Sequence, residues 1–433
     1  MPKTILFNNE NIKRENIKLF QKITIILFSF FPISFVLGNS LINLNILLIN
    51  FLLLYYSYTL KDWEWLKDKF FKLLIIFYFY IVINSVIFHF LNDYSNYDGL
   101  TRSLSFIKFI LLAYSLQVLI YHNKTLDTII KNWLVIIGII IVDVFFEKII
   151  GHNIFGNISP DHSRIVSFFD DELIVGGLIF CYGFIIATYF LQKNLNFKSK
   201  IFFNLFLFIV PFSVFISGER ANFIKSFIIF SIVVFLIDNK KLLIDKKIFV
   251  FFTTLIIFAT IFFNETIRIK QVEVFKRILI SKDVDKYPGR FQNIKYFAHY
   301  DVAIKIFKDF PFSGVSSKNF RYVCRDTKYF DQKIKFSFLR CNTHPHQIHL
   351  EILSEHGLIG YLFLFYLFFY FFKKKLADAK LTNNIFYSTS VLYLIIFFIP
   401  LLPGGAIFST TNGALFWIVF SIANINFKKI PIS

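Results

Sequence analysis

The stretch "RCNTHPHQIHLEILSEHGLIGYLFLFYLFFYFF", residues 340–372, decides how this chain is read. It opens polar, with His344, His346 and His349 in six residues, and ends in an unbroken apolar run. An apolar run of about 20 residues is what a helix needs to cross a bilayer. The same run length recurs through the whole chain. Of its 433 residues 56% are hydrophobic, and the mean hydropathy is +0.60. That composition excludes an ordinary soluble domain and predicts an all-α polytopic membrane protein.

Apolar runs fall at about 20–38, 41–59, 70–91, 104–121, 129–147, 173–191, 200–217, 221–237, 247–264, 351–372, 385–402 and 411–425, giving about twelve transmembrane helices. The net charge of +19 does not point to nucleic acid, because the lysines sit in short patches between apolar runs. Lys61, Lys67 and Lys69, then Lys193, Lys198 and Lys200, then Lys240, Lys241, Lys246 and Lys247, then Lys373 to Lys375 all fall on alternate connections. Basic connections stay in the cytoplasm, so both termini are expected there. Three regions follow: helices one to nine in 1–264, a large periplasmic loop in 265–350 between the ninth and tenth helices, and helices ten to twelve with a cytoplasmic tail in 351–433.

A connection of this length is usually functional. It carries Cys324 and Cys341, which can pair if the loop faces an oxidising compartment and otherwise remain two free thiols. A bridge closing a loop of that size stabilises by ~3 kcal/mol in the chain-entropy picture.

Four segments carry the functional signal. His346-Gln347 is followed at fixed spacing by Gly357 and Gly360. "SGERAN", 217–222, opens the eighth span from outside. "GRFQNIKYFAHYDVAIKIFKDFPFSGVSSKNF", 289–320, places a Gly-Arg before a helix and then a Pro-Phe-x-Gly-Val turn. "SRIVSFFDDELIVGG", 163–177, precedes the sixth span. In order and spacing these resemble the bacterial O-antigen ligase and O-antigen polymerase family, with Gln347 where Asn is commoner and Glu219 as an unusual neighbour for Arg220.

The resemblance implies a membrane glycosyltransferase with no metal and no cofactor. Its donor would be a glycan on undecaprenyl diphosphate, met at the periplasmic face with the lipid tail left in the membrane. The acceptor would be lipid A-core. A polymerase or a protein O-oligosaccharyltransferase shares the same fold, and a lipid-linked sugar transporter or flippase is the non-catalytic alternative. Transporters usually show internal repeats and broken helices, and neither is evident here. The resemblance marks His346 and Arg220 as catalytic, and Arg290, Arg164 and Gln347 as substrate-binding.

The residues permit that reading and a plainer one. Pro345 suits the first turn of a helix capped by Thr343 or His344, which would put His346 at the positive helix end, where phosphate is attracted. His346 could equally cap that helix or meet headgroups. Arg220 offers a planar fork to diphosphate oxygens, with Glu219 to orient it, or snorkels to the membrane surface. His344, His346, His349 and His356 form the only zinc-like set, and no carboxylate or cysteine completes it. Asp170, Asp171 and Glu172 read as a solvated helix approach, or as a carboxylate near the acceptor. The Asp-x-Asp at 283–285 is too weak to argue from.

Overall fold

The structure is a computed structural model of the chain, and it describes residues 3–91, 97–120, 123–160, 164–169, 174–243, 245–263, 268, 294–382, 384–400 and 402–425. Among these residues every regular element is helical. The α-helices are α1 Lys3–Val36, α2 Asn39–Leu60, α3 Lys69–Leu91, α4 Tyr97–Ser105, α5 Ile107–Leu119, α6 Asn123–Ile150, α7 Val175–Gln192 and α8 Phe197–Ile216. They continue as α9 Arg220–Leu236, α10 Lys246–Phe263, α11 Lys295–Asp309, α12 Phe320–Val323, α13 Ile348–Thr382, α14 Ile385–Phe397 and α15 Thr410–Asn424.

Among the described residues eight helices are long and apolar enough to cross a membrane: those in Ile17–Val36, Asn39–Leu60, Lys69–Leu91, Tyr97–Leu119, Lys124–Ile150, Val175–Gln192, Phe197–Ile216 and Ile348–Leu381. The chain is therefore a multi-pass membrane protein. The other four apolar runs are helical too, as α9, α10, α14 and α15, but none exceeds 18 residues. The 13 residues of α14 rise only about 20 Å, short of a hydrocarbon core about 30 Å thick. Between α14 and α15, residues 398–400 and 402–409 run as turns and irregular backbone where an apolar sequence suggested helix.

The bundle is centred on α7, which packs against α6, α8, α9 and α14, and on α15, which packs against α5 and α14. Both are buried along nearly their whole length. Exposed aliphatic and aromatic side chains such as Phe51, Phe79, Val142 and Phe365 cover the outer helix faces, as lipid contact requires.

The segment before α13 forms a compact cap. Here α11 packs on α13, and Cys324 and Cys341 are joined with their Cα atoms 5.4 Å apart. Arg340 gathers the bridged loop: its guanidinium donates to the carbonyls of Cys324 and Arg325, each at 3.0 Å, and of Asp326 at 3.3 Å. The turn 311–317 then plugs into α13. Gly357 breaks that helix, with φ +63° and ψ −169°. Leu358 and Ile359 donate their N–H groups to the carbonyls of Pro311 and Phe312 at 2.8 and 3.2 Å, and Val315 donates to the Ser354 carbonyl at 2.9 Å. A Cβ on Gly357 would lie 2.2 Å from the Phe312 oxygen, and one on Gly314 would lie 2.4 Å from the Glu355 carbonyl carbon. Each glycine makes room for the other segment's backbone. Of the two glycines of the His346 motif, Gly360 faces Tyr80 of α3, whereas Gly357 is a hinge filled by loop backbone. From α3, Asn84 donates to the Ser313 carbonyl at 2.8 Å and Ser85 shares a hydrogen bond with Ser316 at 2.5 Å.

Candidate functional site

His346 does not lie in the first turn of a helix. It adopts φ +58° just before α13, which begins at Ile348. Gln347 caps that helix, its side-chain oxygen accepting from the Leu350 N–H at 2.7 Å, so neither Thr343 nor His344 does. Pro345 is buried outside the helix. The left-handed backbone at His346 is costly for a residue with a side chain, and it is held from the other side of the site. Gly404, in the connection between α14 and α15, donates its N–H to the His346 carbonyl at 2.8 Å and receives the His344 Nε2 proton on its own carbonyl at 3.2 Å. With Nε2 protonated, His344 Nδ1 is left to accept from the Thr343 hydroxyl at 3.0 Å.

The sequence reading did not single out the residues on the opposite wall. From α11, Tyr296 and His299 reach His346 with ring centroids 5.4 and 5.2 Å away, while His344 lies at 4.3 Å. His299 Nδ1 donates to the Arg340 carbonyl at 3.0 Å, which leaves Nε2 as a lone-pair acceptor, buried and without a partner. Neither ring nitrogen of His346 hydrogen-bonds to another described residue. Burial pushes His346 down to a pKa of about 3, helped by the charges of His344, His299, Lys295 and Arg164. Burial likewise lowers His344 to about 4, against the Gly404 hydrogen bond, which raises it. His299 is lowered by burial, against its hydrogen bond to Arg340. The rings are therefore neutral at pH 7, in a pocket whose nearby charges are positive.

Arg164 belongs to the same place. Its charge acts on His346 and also on Glu219. The segment carrying it is pinned by Ile165 donating to the Ser217 carbonyl at 3.1 Å, and by Glu147, which accepts from the Ser167 N–H at 2.6 Å. Glu219 was expected to orient Arg220. Instead it caps α7, accepting from the N–H groups of Gly176 and Gly177 at 2.6 and 3.2 Å and from the Asn222 amide at 2.6 Å. Burial raises its pKa, and those donors and Arg164 oppose the rise. Arg220 follows directly as the first residue of α9, half-buried. Arg164, the Glu219–Arg220 junction and His346 thus come from three separate stretches to one end of the bundle. Arg290, the aspartate pair 283–285 and the acidic cluster of Asp170, Asp171 and Glu172 lie outside the described residues.

Of the four histidines that resembled a zinc set, His344 and His346 lie together while His349 and His356 turn elsewhere. His349 Nε2 donates to the Phe398 carbonyl at 2.8 Å while Nδ1 meets the Tyr361 hydroxyl at 3.2 Å. His356 is fully buried beside Phe408, with Nε2 3.4 Å from the Ser317 hydroxyl. Among the described residues no three metal-ligating side chains gather.

Two of the unanticipated residues left a trace in the sequence. His299 stands in the middle of an amphipathic loop helix, and Lys225 interrupts the apolar run "ANFIKSFIIF". Neither pattern belongs to a motif, and only the fold brings both toward His346. No curated protein matches the chain. A family model described as O-Antigen ligase matches residues 205–365, a segment that contains Arg220, Gln347, His346 and both motif glycines and leaves Arg164 outside. By that match, this part of the chain is similar to the O-antigen ligase family, to which its motifs pointed.

Proposed function

We propose that the protein is an O-antigen ligase-type glycosyltransferase that moves a glycan from undecaprenyl diphosphate to a lipid A-core acceptor at the periplasmic face of the inner membrane. The observation that carries this reading is the convergence of Arg164, the Glu219–Arg220 junction and His346 at one end of a membrane bundle. The lysine pattern puts the opposite end in the cytoplasm, together with both termini. The Cys324–Cys341 bridge fits a loop in an oxidising compartment.

In this reading the acceptor hydroxyl oxygen bonds to the anomeric carbon as the bond from that carbon to the diphosphate oxygen breaks. The electron pair leaves with the lipid diphosphate, whose charge Arg220, Arg164 and Arg290 hold. The hydroxyl proton passes to His346, whose ring nitrogens are uncommitted. A ring depressed to about 3, mostly by burial, is a weak base. A bound diphosphate offsets the smaller part of that depression, which comes from the neighbouring positive charges, so donor binding strengthens the base. Gln347 shapes this site through its cap on α13, and its amide nitrogen remains for substrate. Fixed cations supply the neutralisation, and the reading calls for no metal.

The break at Gly357 is a feature shared with transporters, but here loop backbone fills it. A polymerase or a protein O-oligosaccharyltransferase would use the same donor half-site. The test supplies purified protein with lipid-linked glycan and, separately, lipid A-core, further lipid-linked glycan or an acceptor protein. Transfer to lipid A-core is expected. Elongated lipid-linked glycan or glycosylated protein would move the assignment to the corresponding branch, and no transfer to any acceptor would overturn it.

A further inference from the structure

Lys225 lies one and a half turns inside α9, and only 4% of its surface is exposed. Among the described residues its ammonium group has no acid and no hydrogen-bond acceptor. Its one polar contact is a cation–π approach, 5.6 Å from the centroid of Phe397. Such a contact offsets only part of the cost of burying an ammonium group. A lysine kept at this depth without a partner marks a functional position in a membrane protein by default.

Its place in the site gives the direction. The Lys225 Nζ atom points at Gly404, 3.4 Å from where a Cβ on that glycine would stand. Gly404 is the residue whose N–H and carbonyl hold His346 and His344. A single side-chain-free residue therefore separates the ammonium from the histidine segment, and Arg220 sits above it on the same helix. Around the neighbouring His346 the charged groups and rings are Arg164, Lys295, His299 and His344. Among the described carboxylates on this side, Glu219 spends its oxygens on α7 and Asn222.

We infer that Lys225 is a binding residue for an anionic ligand, the deep cation of the donor pocket, and that the anion it takes is a phosphate oxyanion of the lipid diphosphate. This rests on the functional reading above. Arg220 and Arg164 would meet the diphosphate from the rim, and Lys225 would meet it from the membrane side, nearer the lipid tail. A compact ammonium suits that depth, because it needs less room than a guanidinium fork.

The experiment measures binding of undecaprenyl diphosphate and undecaprenyl monophosphate, neither bearing a glycan, to the purified full chain in detergent, by ligand-dependent thermal shift. Wild-type protein is expected to prefer the diphosphate. Lys225→Met keeps the side chain's length and removes the charge. It is expected to weaken diphosphate binding at least tenfold while leaving the ligand-free protein as stable as wild type or more so. Equal diphosphate binding by wild type and Lys225→Met would overturn the role of Lys225 and leave the functional reading intact. A Lys225→Met protein that does not fold would overturn it as well, since the charge would then be structural. Wild-type protein that binds neither lipid would instead bring down the functional reading.

Discussion

The two ends of the bundle treat charge differently. At the lysine-rich end a cavity of about 450 Å³ is lined by Glu64, Lys67, Asp68, Lys374, Lys375 and Asp378 among others. Most of its charges are matched internally: Lys67 pairs with Glu64 at 2.6 Å, Lys374 approaches Asp68 at 3.9 Å, and Tyr114 donates to Asp68 at 2.7 Å, while Lys375 lies over the Phe371 and Tyr387 rings. Nearby, Asp127 takes Lys131 at 2.7 Å and also Lys193. At the other end, among the described residues, Lys225 and the His346 ring nitrogens have no partner, and His299 Nε2 is an orphan acceptor. A charge pattern closed on itself serves the fold. One left open awaits a ligand, and its sign here calls for an anion.

The difference breaks if the open end proves as tolerant as the closed one. Arg220→Ala removes a charge-assisted contact to the leaving group and is expected to cut transfer about 10²–10³-fold. His346→Ala is expected to cost about 10²–10⁴-fold as the loss of a general base. His346→Ala should leave the thermal unfolding midpoint near wild type, because its ring nitrogens hydrogen-bond to no described residue. Arg220→Lys should recover only part of the rate, since the planar fork is lost. Full activity in either alanine variant would mean that the uncommitted polar groups are incidental.

Gly357→Ala probes the hinge beneath the site. A side chain at φ +63° is strained, and the methyl group would meet the Phe312 carbonyl, so the plug of 311–315 must lift. The expected cost is about 3 kcal/mol or more, read as a lower unfolding midpoint and faster proteolysis of the 311–347 segment. Gly138→Ala is the control, because nothing lies within 4 Å of its added methyl and the helix gains propensity. Equal behaviour of the two variants would remove the plug from the account.

These cases show what the sequence could disclose. The membrane class and the positions of the helical runs follow from apolar run length, a one-dimensional signal, so they were legible. Run length does not separate a full span from a half-length helix, and α14 stops at Phe397 although the apolar sequence continues. The motif named His346 and Arg220 but not their surroundings. Glu219 looked like a partner for its neighbour in sequence, yet its oxygens go to backbone N–H groups more than forty residues away in the chain. His299, Gly404 and Lys225 meet His346 only through tertiary packing, which no local pattern encodes.

The acid side of the rate profile sharpens the comparison further. His346 is pushed down to about 3 in the empty pocket by burial and by its charged neighbours. It therefore stays neutral well below the ordinary histidine value near 6.5. In kcat/KM, which reports the free enzyme, its acid limb should lie at low pH. In kcat, which reports the donor complex, the diphosphate cancels part of the surrounding positive charge and the limb should move to higher pH. Arg164→Gln removes one of the charges that depress the ring, so its kcat/KM limb should also move up. Profiles with coincident acid limbs for kcat and kcat/KM would show that donor binding does not tune this group.

The smallest expected effect is at the closed end. Lys67 and Glu64 pair at 2.6 Å, but their side chains are 72% and 77% exposed. An ion pair that open to solvent contributes about 0–1 kcal/mol and is screened by salt. Lys67→Ala should therefore change the unfolding midpoint by little and the transfer rate not at all, and raising the salt concentration should erase what difference exists. Lys225 carries the same charge at the other end and is expected to be the opposite in every respect: buried, unpaired, and dispensable for stability but not for the donor. If Lys67→Ala instead lowered transfer as much as Arg220→Ala, the matched charges of the closed end would belong to the reaction, and the contrast between the two ends would lose its meaning.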